Sequence, residues 1–110
     1  EWGSSDFNWT FEYEAQAEPP FKDLKKWWDM SPIKYIGNAK TPTMVIHNEN
    51  DLRCPIEQGE QVFVALKRLG IDTEFVRFPD EFHGLSRSGR TDRRIVRLNS
   101  ILRWMDKYLK

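Results

Sequence analysis

Two short strand-like runs joined by a helical stretch constrain this chain more than any other feature. Thr43-Met44-Val45-Ile46-His47 is a continuous apolar run after Thr41-Pro42, the signature of a strand buried on both faces of a parallel sheet. Thr73-Glu74-Phe75-Val76-Arg77-Phe78 alternates polar and apolar residues instead, as an outer strand of an open sheet does. Between them, Pro55 and Glu57 suit a helix start, Val62, Phe63, Leu66 and Leu69 form one apolar stripe, and Gly70 stops the helix. From Thr91 to Tyr108 the residues Ile95, Leu98, Leu102, Met105 and Leu109 recur at alternating spacings of three and four, a long amphipathic helix. Strand, helix, strand, helix is the pattern of an α/β protein whose mostly parallel sheet is flanked by helices. Two strands cover few of the apolar faces packed on them, so the expectation is the carboxy-terminal portion of a larger α/β domain, incomplete on its own.

The remaining residues fit that division. Residues 1–30 form an aromatic-rich arm with a short helix, and residues 31–110 carry the strand-helix-strand-helix part. In the arm, residues 1–20 have no clear period and end in Pro19-Pro20, which predicts irregular or short helical structure. Phe21, Leu24, Trp27 and Trp28 have helical spacing, predicting a helix over 21–29 that Pro20 opens and Ser31-Pro32 ends. Residues 31–40 read as a loop with a turn at Gly37-Asn38.

Five Trp, seven Phe and three Tyr are a heavy aromatic load for so small a skeleton, and part of that surface is expected to lie against further protein. The 17 basic and 17 acidic side chains cancel and no block of like charge stands out, which argues against nucleic acid or a membrane surface as partner. A homo-oligomer is compatible with these residues. Cys54 is the only cysteine, so an internal disulfide and a cysteine-cluster metal site are excluded, and a reducing, cytoplasmic setting is favoured. No stretch has the length of a membrane span, and the amino terminus lacks the pattern of a signal peptide.

Each strand-like run leads into a polar loop that carries chemistry. The first continues as Asn48-Glu49-Asn50-Asp51-Leu52-Arg53-Cys54-Pro55, and the second reaches Phe82-His83-Gly84-Leu85-Ser86. Ligands of open parallel sheets bind beyond the carboxyl ends of the strands, where both loops fall. Acyl transfer by a hydroxyl needs a base that takes the nucleophile's proton and returns it to the leaving group. It also needs a carboxylate that fixes the base's tautomer and stabilises the imidazolium. His83 and Asp51 suit these roles, in the Ser…Asp…His chain order of an α/β-hydrolase. Each taken alone is an ordinary loop residue; their joint placement after consecutive strands is what points to a site. The serine is missing, since no Gly-x-Ser-x-Gly occurs and Gly84-Leu85-Ser86-Arg87-Ser88 lacks the last glycine and follows the histidine.

Other conspicuous residues have plainer readings. His47 ends the first strand and reads as a packing or hydrogen-bonding residue. Cys54 has no activating base in its motif and reads as a small buried apolar residue. Arg53 is placed to hold the acid loop through a carboxylate or a carbonyl, or to be solvated. Ser86, local to His83, reads as a loop cap, and Trp2, Trp9, Trp27 and Trp28 as core or domain contacts. Glu49, Asp80, Glu81 and His83 give weak support for a metal site, which normally takes about three ligands held together; no metal and no cofactor are expected.

Taken together, residues 31–110 resemble the end of the catalytic domain of the prolyl oligopeptidase family of serine peptidases, especially its acylaminoacyl-peptidase and dipeptidyl-peptidase-like branch. The acid loop of that branch commonly reads His-Gly-x-x-Asp-x-x-Val-Pro, and His47, Asp51 and Pro55 match it, with Asn48 in place of the glycine and Cys54 in place of the valine. Gln58-Gly59-Glu60-Gln61, Ala65-Leu66-Lys67-Arg68-Leu69-Gly70 and Phe82-His83-Gly84 resemble the family's crossover helix and histidine loop. The resemblance implies Asp51 as triad acid and His83 as general base. It places the nucleophilic serine, the oxyanion-hole donors and a β-propeller in an upstream part of the same protein, which would be this chain's partner. The implied activity is hydrolysis of short peptides near the amino terminus, releasing acylated residues or dipeptides, with this chain inactive by itself. An esterase or lipase of the same fold, or a non-catalytic interaction module, are the competing readings.

Overall fold

A computed structural model describes residues 1–109. Its centre is a two-stranded parallel sheet, β1 (Thr43–Asn48) beside β2 (Thr73–Phe78), paired in register from Thr43 opposite Thr73 to Asn48 opposite Phe78. Parallel strands require a crossover, and here it is the helix Glu57–Arg68. Its acidic first turn and basic last turn both complement the helix dipole, and Gly70 leaves it with φ +73°, a conformation that glycine adopts without strain.

Alternation along β2 sorts the layers. Phe75 stacks on Phe63 of the crossover helix with ring centroids 5.5 Å apart, and Arg77 donates to Glu60 of the same helix at 2.7 Å. On the opposite face, Glu74 receives a two-pronged contact from Arg103 of the long carboxy-terminal helix Thr91–Leu109. Lys107 of that helix reaches Asp72 at 2.6 Å, and Tyr108 also bonds Asp72. The sheet is thus a middle layer with one helix on each face, which is the α/β-hydrolase arrangement in part. Leu66, Phe78, Leu85 and Trp104 form the buried apolar core. Among the described residues no helix is long and apolar enough to cross a membrane.

A short helix, Trp9–Ala15, ends at Gln16 in the left-handed region and fits the irregular or short helical structure expected of residues 1–20. Other local elements differ from the sequence expectation. The second arm helix starts at Leu24 and not at Phe21, because the Asp23 carboxylate caps it by accepting from the Lys26 N–H at 3.1 Å. Its tryptophans pack incompletely, Trp28 being half exposed. Residues 32–38 are a 3-10 helix where a loop is expected, opened by Pro32, whose fixed φ suits a first helical position. β1 is only half covered along most of its length, where two buried faces are expected.

Candidate active site

The acid loop is shaped by its own carboxylate. One Asp51 oxygen, Oδ1, accepts from the backbone N–H groups of Arg53 at 3.0 Å and Cys54 at 2.9 Å, an Asx turn that bends the chain directly after β1. Asp51 is only 7% exposed. The histidine loop begins where Pro79 is followed by Asp80 at φ +60°, a left-handed position that aspartate tolerates. Three bonds lay this loop along the end of β1. Glu49 N–H donates to Phe78 O at 3.0 Å, Asn50 N–H to Glu81 O at 3.0 Å, and the Asn48 amide Nδ2 to Phe82 O at 2.8 Å.

The outcome is that Asp51 and His83, 32 positions apart, meet. His83 Nδ1 lies 2.9 Å from Asp51 Oδ2 and 3.1 Å from Oδ1. A carboxylate only accepts, so Nδ1 carries the proton and Nε2 is left as the basic nitrogen. The His83 side chain is half exposed, and Nε2 makes no hydrogen bond among the described residues. Such a pair is built to hold an imidazole in one tautomer and to take a proton at Nε2.

The other sequence candidates fall into place around this pair. His47 donates from Nε2 to Cys54 O at 2.6 Å and stands 4.0 Å from Asp51 Oδ2, outside hydrogen-bond distance of it. Its Nδ1 faces Gly59, where a Cβ would come within 2.6 Å. Arg53 pairs with Asp6 at 2.8 Å and lies over the Phe7 ring at 4.4 Å. Cys54 is half-buried, and burial, followed by the Glu1 carboxylate, pushes its thiol up to about 11, well out of the range of an activated nucleophile. Ser86 sits inside a short helix, Leu85–Ser88, that has no side-chain cap. Among the described residues no three metal-ligating side chains gather. Glu49 is taken by Arg77, and buried Glu81 accepts from the Arg90 N–H at 3.1 Å. Asn48 stands in β1 with an ordinary backbone conformation, so exchange of the usual glycine introduces no strain there.

Sequence reasoning missed the arm. Ser5, buried, donates its hydroxyl to Arg53 O at 2.7 Å, and Asp6 N–H donates to Leu52 O at 2.8 Å. Only the cationic Arg53 beside a loop carboxylate signals this contact in the sequence.

Comparison with known proteins gives the family. All of residues 1–110 match the prolyl oligopeptidase family. The chain belongs to that family. It is 48% identical over 107 residues to the uncharacterized peptidase YuxL of Bacillus subtilis, covering 97% of this chain and 16% of that protein. It is 38% identical to the acylamino-acid-releasing enzyme of Arabidopsis thaliana, covering 94% of this chain and 14% of the enzyme. Among solved structures, the acylaminoacyl peptidase of Pyrococcus horikoshii superposes with a TM-score of 0.90 at 28% identity, over 99% of this chain and 18% of that one. The chain therefore spans about a sixth of the length of these prolyl oligopeptidase relatives.

Proposed function

We propose that the complete protein is a serine peptidase acting on short peptides near the amino terminus, releasing acylated residues or dipeptides through an acyl-enzyme. In this reading Asp51 is the triad acid, His83 the general base, and the serine lies upstream. The observation that carries it is the 2.9 Å contact between His83 Nδ1 and buried Asp51, with half of the imidazole open to an approaching hydroxyl. His83 Nε2 takes the serine proton as the oxygen attacks the carbonyl carbon, Asp51 stabilises the imidazolium, and the same proton passes to the leaving amine. Water then repeats the cycle on the acyl-enzyme. Peptide chemistry is favoured over ester chemistry by the relatives: one similar structure is an acylaminoacyl peptidase in complex with Z-Gly-Gly-Phe-chloromethyl ketone, and a similar curated protein is an acylamino-acid-releasing enzyme.

The test is fluorophosphonate labelling of the full-length protein, followed by turnover of an acylated amino-acid anilide, a free-amine dipeptide anilide and a nitrophenyl ester. Label on a serine outside residues 1–110, together with anilide cleavage, is the expected result. Label with ester cleavage alone moves the protein to the esterases, and absence of label removes the catalytic reading. The isolated stretch 1–110 should turn over none of the three.

A further inference from the structure

We infer that the amino-terminal arm positions the triad acid, with Ser5 as a positioning residue, an inference that rests on the peptidase reading above. Each peptide group pairs one carbonyl with the next N–H. The Arg53–Cys54 peptide presents its N–H to Asp51 Oδ1 at 2.9 Å, while its carbonyl accepts the Ser5 hydroxyl at 2.7 Å. The preceding Leu52–Arg53 peptide presents its N–H to the same oxygen at 3.0 Å, while its carbonyl accepts Asp6 N–H at 2.8 Å. Two relays therefore run from the arm through single peptide groups to one carboxylate oxygen. Bonds in such a chain polarise one another, so a donor on each carbonyl strengthens the N–H at the other end.

The consequence is directional. Two donors fix Oδ1, rotation of the carboxylate breaks both bonds, and Oδ2 is left facing His83. The next carbonyl in line, Cys54 O, is held by His47 Nε2, so three successive carbonyls of the acid loop are each anchored from outside it. Ser5 is itself kept in place because its oxygen also accepts from Phe7 N–H at 3.1 Å, and the Asp6–Arg53 ion pair fastens the same segment. The hydrogen bonds that Ser5 and Asp6 make outside the arm end on the acid loop and not on His83, so the arm acts through Asp51.

The experiment uses the full-length enzyme, with rates expressed per fluorophosphonate-labelled site. Ser5→Ala removes one relay donor and should lower kcat about tenfold, the scale of one hydrogen bond, while KM stays within about twofold. Ser5→Thr keeps the hydroxyl and should recover most of the loss. The low-field proton resonance of the His83–Asp51 bond should broaden in the alanine variant and sharpen again in the threonine one. A kcat for Ser5→Ala equal to the parent's overturns the arm's role while the peptidase reading stands. An equal loss in both variants also overturns it, by assigning the effect to packing and not to the hydroxyl. A parent that takes no label overturns both.

Discussion

Replacing Asp51 by asparagine separates geometry from charge. The amide oxygen of the new side chain would settle where Oδ1 now accepts from Arg53 and Cys54 N–H at 3.0 and 2.9 Å, because only an acceptor satisfies two donors. The NH2 group must then occupy the place of Oδ2, 2.9 Å from His83 Nδ1. A donor there turns Nδ1 into the acceptor and moves the ring proton to Nε2, the nitrogen that receives the serine proton in the proposed mechanism. The Asx turn survives, so the melting temperature should change little, while the base is in the wrong tautomer. In Ser-His-Asp triads this costs about 10⁴-fold in turnover, or about 5.4 kcal/mol of barrier. Asp51→Ala makes the contrast, since it strands both N–H groups at a cost of about 1–3 kcal/mol of stability but forces no tautomer. Steady-state anilide hydrolysis by the full-length enzyme, with melting curves beside it, reads both effects. If Asp51→Asn turns over within about tenfold of the parent, the tautomer argument is wrong and Asp51 leaves the mechanism.

Three further outcomes follow from individual contacts. Gly59→Ala should gain about 1 kcal/mol in helix propensity and lose about 1–3 kcal/mol to overpacking, since its Cβ would meet His47 Nδ1 at 2.6 Å and Phe75 at 3.3 Å; a lower melting temperature with reduced turnover is expected, and an unchanged rate would show that His47 does not steady the acid loop. Cys54, pushed up to about 11 against an ordinary 9.0, should react with iodoacetamide at neutral pH about a hundredfold more slowly than a free thiol, as followed by mass of the peptide that carries it. Asp72 is held below its ordinary 3.8 by its hydrogen bond to Lys107 and then Tyr108, so its contribution is full above that value and disappears as pH falls through the lowered one. Amide protection in the last turns of the carboxy-terminal helix should therefore differ between parent and Asp72→Asn at neutral pH and converge in acid.

What the sequence makes legible here is periodic. Alternation in Thr73–Phe78, the stripe of Val62, Phe63, Leu66 and Leu69, and the three-and-four spacing of Ile95 to Leu109 each fall in an element of the expected type, because side-chain type follows the period of the element. The last stripe nevertheless lies exposed, and its helix buries Ser100 and Trp104 and bonds Glu74 through Arg103 instead. Asp51 and His83 are legible as a pair because strand ends fix where loops begin. The arm is illegible for the opposite reason. Ser5 and Asp6 act on the acid loop through a hydroxyl and a backbone N–H aimed at carbonyls, and any sequence supplies carbonyls. The start of the second arm helix is misplaced on the same grounds, since the Asp23 cap competes with a Pro20 start that looks equally good in the sequence. Asn48 looks like a departure from the family's glycine, yet it supplies the amide that braces the histidine loop.

Strand register joins the two halves of the site. Asn48 lies opposite Phe78, so the acid and histidine loops leave the sheet at one level and in one direction. From that level, Glu49 and Asn50 N–H reach back to Phe78 and Glu81 carbonyls while the Asn48 side chain reaches Phe82 O. A slip of β2 by one residue would turn its side chains to the opposite face of the sheet. Phe75 would leave Phe63, Glu74 would leave Arg103, and the acceptors for Glu49 and Asn50 would be displaced by about 3.3 Å along the strand, more than a hydrogen bond tolerates. The packing of both helices and the meeting of His83 with Asp51 are therefore specified by one register, and a change that weakens either helix face reaches the His83–Asp51 pair without touching it.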